Sequence, residues 1–136
     1  MNKILISFVL TALFLTACSA SASVSIAGEW KLVSYGDPAS PKPAASGIET
    51  SIAFDQDGKI NGSVGCNGFG GEYKIKGNTI EFNQMVATMM FCEGPVGEQE
   101  SALLTVFQET AAYSIEGNSL AITSADGSTI VVLRRK

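Results

Sequence analysis

Cysteines, methionines and carboxylates are the residues in this chain whose types could do chemistry, and histidine is absent altogether. Without an imidazole, neither a Ser-His nor a Cys-His nucleophile can be assembled. The 13 acidic side chains stand singly on strand faces and turns, so spacing picks out no acid–base pair. The chain therefore reads as non-enzymatic, with no catalytic residue to assign. Cys18 closes an apolar leader, while Cys66 and Cys92 lie in the body of the chain. Two thiols without a histidine leave a closed zinc site short of ligands. Met85, Met89 and Met90, beside Cys92, carry soft sulfur suited to Cu(I), but methionine serves more often as adaptable core filler. No metal and no cofactor is expected.

The first cysteine belongs to a processing signal. Lys3 supplies a short positive segment, and Ile4 to Leu15 form an apolar run broken only by Ser7 and Thr11. That run is shorter than the ~20 residues a bilayer-spanning helix needs, so it reads as an export signal. Leu15-Thr16-Ala17-Cys18 then looks like a bacterial lipobox. Ala17 fits a small peptidase subsite, and the Cys18 thiol takes a diacylglycerol before cleavage makes it the new N-terminus. The blander alternative is an ordinary secretory signal cut after Ala17 or Ala20. Residues 1–17 are assigned as lipoprotein signal peptide, 18–26 as a flexible tether of small polar residues, and 27–136 as one folded domain. Two or more acyl chains hold a protein stably on a membrane, so the membrane is the first expected partner. Ser19, in place of Asp, directs such a lipoprotein to the outer membrane, facing the periplasm, if the host is Gram-negative.

The exported setting also bears on the other two cysteines. It favours a Cys66–Cys92 disulfide over free thiols or metal ligands. The formal net charge is −4, and no basic cluster is present that would neutralise phosphates, so nucleic acid is not an expected partner. Arg134-Arg135-Lys136 reads as a solubilising end to the last strand.

The elements that must position these residues are mostly strands. Trp30 and Leu32 share one face of Ala27 to Tyr35, with Lys31 on the other. Gly36 to Gly47, with Pro38, Pro41 and Pro43, reads as a loop. Alternating runs then recur around Ile52-Phe54, Ile60-Val64, Tyr73-Ile75, Ile80-Phe82, Tyr113-Ile115, Leu120-Ile122 and Ile130-Val132. Asp57-Gly58, Gly77-Asn78, Gly117-Asn118 and Asp126-Gly127 join them in the manner of hairpin turns. The last strand, apolar on both faces, is expected to be covered on both sides or to pair and close a barrel. Only Pro95 to Gln108 breaks the period. There Val96, Leu103, Leu104 and Phe107, with Ala111 just beyond, make one helical face, and Glu98 and Glu100 sit in the first turns where the helix dipole favours anions. The predicted class is α+β, mostly β: an antiparallel meander curved into a partly open barrel with one covering helix.

The densest stretch is Gly62-Ser63-Val64-Gly65-Cys66-Asn67-Gly68-Phe69-Gly70-Gly71-Glu72-Tyr73. It lacks the final Gly of a dinucleotide fingerprint and any Gly-Lys-Ser/Thr. Gly65, Gly68, Gly70 and Gly71 are instead expected to make a tight corner where backbones cross closely, with Asn67 able to turn left-handed.

Several of these segments are similar to one family. Gly28-Glu29-Trp30-Lys31-Leu32, Phe54-Asp55-Gln56-Asp57-Gly58-Lys59-Ile60-Asn61-Gly62 and Gly65-Cys66-Asn67-Gly68-Phe69-Gly70-Gly71-Glu72-Tyr73 resemble the META domain, also called HslJ-like. Ala87-Thr88-Met89-Met90-Phe91-Cys92, the acidic helix start with Glu100, and Leu120-Ala121-Ile122 fit its second half. The resemblance spans roughly residues 27–134, and Gly-Cys-Asn is its most specific part. The family commonly has a basic residue after that Asn, where this chain has Gly68. The resemblance implies an envelope protein, often a lipoprotein, of antiparallel β structure with a helix. Members are linked to heat shock, antibiotic tolerance and, in parasites, secretion and virulence. The fold is likened to cracked-barrel pilotin lipoproteins of type III secretion, which hold lipid inside. No catalytic residue comes with it.

Three functions follow as expectations, the last-ranked being an uncharacterised enzyme, which would need clustered carboxylates of raised pKa in a cleft. An apolar pocket near the helix, lined by Trp30, Phe54, Phe82, Leu103 and Phe107, implies an apolar ligand or the apolar tail of an envelope protein. A filled interior instead implies a structural or assembly factor with no small ligand.

Overall fold

The computed structural model describes residues 24–136, so the leader, the lipobox and Cys18 lie outside the described residues. Period-two alternation becomes β1 (Gly28–Gly36), β2 (Lys42–Pro43), β3 (Ser51–Phe54), β4 (Lys59–Ser63), β5 (Gly68–Lys76) and β6 (Thr79–Ala87). The helix α1 (Gly94–Val106) follows, then β7 (Thr110–Glu116), β8 (Ser119–Thr123) and β9 (Ile130–Arg135). Strands β3 to β9 pair antiparallel in chain order, and β1 joins both β3 and β9. The result is a closed eight-stranded antiparallel barrel with a single helix.

The closure expected of the last strand is made with the first. Trp30 lies opposite Arg135, Leu32 opposite Leu133 and Gly36 opposite Ile130. The β1–β9 register shifts between Leu32 and Ser34, which bends β1. On its other edge β1 pairs first with β3, through Gly28 to Trp30, and then with β2, through Ser34 and Tyr35. Between those two pairings the Leu32 N–H donates to the buried Thr50 hydroxyl at 2.9 Å, so the gap leaves no orphan donor. The Gly36 to Gly47 loop is thus interrupted by two residues of strand.

Opening is confined to one seam. β6 pairs β7 only over Thr79 to Glu81, and the C-terminal end of α1 lies beside the rest of β6. Phe107, which caps that end, packs on Phe82 at 4.5 Å between ring centroids and on Phe69 at 5.6 Å.

Trp30, Phe54, Phe82, Leu103 and Phe107 do converge, but as packed core: none is more than 5% exposed. They share one cluster with Ile52, Ile60, Ile80, Leu120, Ile122 and Leu133. An eight-stranded barrel is just wide enough for side chains to fill, and here α1 supplies Leu103, Val106 and Phe107 as the plug. Toward the turn at Gly77 the inward face gives out. Tyr73, Tyr113 and Ile115 are only half-buried and Ile75 is exposed, because the barrel end there has no helix over it.

Three local expectations are corrected. Pro95 does sit in the first turn of α1, but no acid does; Glu98 pairs instead with Lys42 at 2.7 Å, and Glu100 turns inward. Ala111 is buried from β7, not from the helix. Arg135 is no mere solubiliser. Its guanidinium lies 4.3 Å from the Trp30 ring and donates to the Ala27 and Ser25 carbonyls, both at 2.8 Å. Trp30 Nε1 donates to Ile26 O at 2.8 Å, and Ile26 is buried, so the last residues of the expected tether are docked on the barrel.

Close backbone approach at the glycine corner gives a direct test. A Cβ at Gly71 would meet Met85 Sδ, with Asn83 O at 3.0 Å and Met85 Cα at 3.1 Å, where β6 bulges over β5. At Gly70 the nearest atom would be Ile60 O, an ordinary contact at 3.6 Å. Gly71→Ala is expected to cost about 1–3 kcal/mol in urea unfolding, as overpacking does, and Gly70→Ala under about 0.5. Equal midpoints for the two variants would contradict the close approach.

Candidate functional site

Residues 88–93 form a strap that leaves β6 and crosses α1 before the helix begins. Small side chains permit the crossing: a Cβ on Gly97 would collide with the Cys92 carbonyl. What holds the strap is the corner between β4 and β5. Cys66 and Cys92 are joined as a disulfide, Cα atoms 6.3 Å apart, across a sequence separation of 26.

Asn67, beside that bridge, is buried and uses its whole amide. Its Oδ1 accepts from Thr88 Oγ1 and from the Met90 N–H, both at 2.8 Å. Its Nδ2 donates to Met90 O at 3.0 Å and to Glu100 Oε1 at 2.6 Å, while its backbone N–H donates to Glu100 Oε2 at 2.7 Å. One residue thus binds the strap on one side and α1 on the other. Asn67 does not take the left-handed turn; among the described residues the one non-glycine with positive φ is Gln84. At the corner Gly65 takes that conformation (φ 117°), whereas Gly68 and Gly70 are neither left-handed nor crowded.

Two buried polar side chains on α1 escaped the reading of its apolar face. Glu100 is one; the other is Gln99, whose Oε1 accepts from Ala45 N–H at 2.9 Å and whose Nε2 donates to Val64 O. Both stand three or four residues after Val96 and before Leu103, on the stripe the apolar spacing had marked. Position was legible, and polarity hid it.

The strap carries its apolar side chains outward. Met89 is 92% exposed, Phe91 87% and Met90 62%, with Val86 at 70% just before them on β6. Of the three methionines only Met85 packs against the core. Met89 and Met90 are thus not core filler, and Cys66, Cys92 and Glu100 form the cluster with metal-ligand spacing among the described residues.

Surface hollows flank the strap. One, of about 750 Å³, has Tyr35, Asp37, Lys42, Phe91, Glu93 and Glu98 in its wall. Another, of about 480 Å³, lies across the strap against Met89, Met90, Leu104 and Gln108. A third, of about 290 Å³, is bounded by Glu109 and Asp126. None of these reaches Trp30, Phe54, Phe82, Leu103 or Phe107; a smaller hollow of about 190 Å³ between Met85, Val86 and Leu104 reaches Phe107 alone of the five. Hydrogen bonding and charge from Lys42 lower the Glu98 pKa, and Glu98 in return raises that of Lys42. Burial, then Glu98, raises Tyr35. Asp126 is lowered to about 2, first by the Ser124 hydroxyl and then by the Ser128 amide and hydroxyl.

The architecture is that of a helix-plugged antiparallel barrel whose most distinctive corner latches an apolar strap outside the core. Residues 22–136 match the META domain, and the chain belongs to that family. An NMR structure of a protein from Burkholderia xenovorans shares the fold at 19% identity and a TM-score of 0.62, covering 80% of this chain and 81% of the other. A crystal structure of a DUF4847 family protein from Bacteroides vulgatus does so at 17% identity and a TM-score of 0.58, covering 81% and 93%. No curated protein matches the chain.

Three measurements test this geometry. Asn67→Ala strips Glu100 and the Met90 backbone of buried partners and is expected to cost about 2–4 kcal/mol. Reducing the disulfide is expected to remove ~3–4 kcal/mol and to expose residues 88–93 to proteolysis. Unchanged urea midpoints would refute the latch. By proton linkage, a carboxylate held below its unfolded pKa favours the folded state above that pKa and loses this as pH falls through the lowered value. Asp126 is therefore expected to titrate by carboxyl-detected NMR near 2, with its turn loosening only there; a midpoint at the ordinary 3.8 would count against the Ser124–Asp126–Ser128 contacts.

Proposed function

We propose that this META-domain protein is an envelope lipoprotein, tethered through Cys18, that acts without catalysis by binding a partner protein in envelope stress tolerance or secretion. The observation carrying this reading is the Met89-Met90-Phe91 tip, held out in solvent by the disulfide and Asn67. Exposed apolar side chains cost solubility, and a contiguous patch marks an interaction site more often than chance. A filled interior argues against an enclosed lipid and in favour of the assembly-factor form of the reading. The lack of histidine, and the engagement of the buried Glu100 carboxylate by Asn67, argue against an enzyme.

Geometry supports the same division of labour. β1 starts at the barrel end where Arg135 clamps Ser25 and Ala27, and it runs toward the end where Tyr35 meets Pro95 at the start of α1. Ser25 and the strap thus lie at opposite ends of the barrel.

Cys18→Ser should move the protein from the membrane to the soluble fraction, and the wild type should carry acyl mass. A photo-crosslinking amino acid in place of Phe91 should give a discrete protein adduct in intact cells. The same probe in place of Ile75, an exposed apolar residue at the tether end, should not. Membrane partitioning of Cys18→Ser together with no acyl mass on the wild type would sink the anchor, and no adduct from position 91 would sink the partner.

A further inference from the structure

The charges around the tip are one-sided. The connections at this end of the barrel, which follow β1, β4, β6 and β8, carry Asp37, Glu93, Glu98, Glu109 and Asp126, and Lys42 is their one cation. Lys42 is already paired with Glu98. Neither Glu93 nor Glu109 is in an ion pair among the described residues. The acids are also placed in register with the hollows. The three hollows meet at Thr105, on the outer face of α1. Asp37, Glu93 and Glu98 wall the hollow on one side, and Glu109 and Asp126 wall that on the other. Met89, Met90, Phe91 and Leu104 line the third, with the small Gly97 and Ser101 as its floor. The outside of α1 is thus a trough, greasy along one stretch and acidic on both flanks.

We propose that this trough is a docking surface for a cationic amphipathic segment of the partner protein. The inference rests on the partner-binding reading above and adds the partner's chemistry. Apolar side chains of the segment seat on Met89, Met90, Phe91 and Leu104, where unbranched thioethers can repack around different shapes. Its Lys or Arg side chains reach Asp37 and Glu93 on one flank and Glu109 and Asp126 on the other, which sets orientation and speeds encounter. An anionic membrane surface does not fit. It would meet the same ring of carboxylates with like charge.

The test uses the full chain in phosphatidylcholine nanodiscs, with empty nanodiscs as blank. Three peptides are titrated: an amphipathic lysine/leucine helix, its glutamate/leucine counterpart, and a scrambled lysine/leucine sequence with the apolar face dispersed. The first is expected to bind saturably, and the other two at least about tenfold more weakly, the ratio given by one such set of contacts. Phe91→Ser with Met89→Ser should weaken the first peptide about tenfold. Glu93→Gln with Glu109→Gln should weaken it about fivefold and flatten its salt dependence. All four positions are exposed, so near-ultraviolet circular dichroism should stay unchanged. Equal binding of lysine and glutamate peptides would overturn the charge class while leaving the partner reading intact. Equal binding of the scrambled peptide would reduce the trough to bulk electrostatics and overturn the docking surface. Binding to phosphatidylglycerol vesicles that is lost in Phe91→Ser would assign the tip to lipid and overturn it too. If no peptide binds, the proposal falls; the position-91 crosslink then decides separately whether any partner exists.

Discussion

Much of this structure hangs on the amide of Asn67. Burying the Glu100 carboxylate would cost several kcal/mol if it stood alone, because a charge leaves water only with partners that replace its hydration. Asn67 provides two of them, one from its side chain and one from its backbone, while its other amide atom fastens Thr88 and Met90. The arrangement is mutual. The strap stays only if Asn67 is oriented, and Asn67 is oriented by a helix carboxylate that has no other reason to be inside. The disulfide beside it converts this local network into a covalent tie between the β4–β5 corner and the helix entrance. Gly-Cys-Asn is therefore best understood as one device: Gly65 makes the turn, Cys66 makes the tie, and Asn67 makes the polar hub.

The latch has a consequence for where binding can occur. With α1 fixed by Gln99 and Glu100 at its first half, its second half is driven into the barrel mouth, where Leu103, Val106 and Phe107 complete the core. That filling leaves Trp30, Phe54, Phe82 and Leu103 packed against their neighbours. The same fixation leaves Met89, Met90 and Phe91 outward, since the strap's inward groups are the Thr88 hydroxyl, the Met90 backbone and the Cys92 sulfur. Core stability and surface exposure thus come from a single set of hydrogen bonds.

Sequence periodicity carried the barrel well. The alternating runs, the Gly-containing turns and the doubly apolar last strand appear as eight antiparallel strands closed by the β1–β9 pairing. It carried the site less well, for identifiable reasons. Trp30, Phe54, Phe82, Leu103 and Phe107 lie in one buried cluster, but periodicity reports which way a side chain faces and not whether space is left between them. Gln99, Glu100 and Asn67 are polar, so a search for apolar faces passes over them, although their helical and corner positions were plain. Met89, Met90 and Phe91 were hardest. In sequence they are indistinguishable from core, and only the hydrogen bonding of their backbone turns them to solvent. Arg135 was misread for the opposite reason, as a terminal cation with no visible partner until Trp30 and the Ser25 and Ala27 carbonyls are brought beside it.

An apolar tip in water is a standing liability, and the fold restrains it instead of removing it. The disulfide and Asn67 hold the strap in place, so Phe91 stands in the wall of the hollows on either side while remaining 87% exposed. Keeping it extended makes physical sense when another surface recovers the exposed area. Pre-ordering the strap also lowers the entropy lost at that encounter, so a small patch can bind more tightly than its area suggests. At the opposite end of the barrel, Arg135 fixes the start of β1 in a comparable way, holding the Ser25 and Ala27 carbonyls and the face of Trp30.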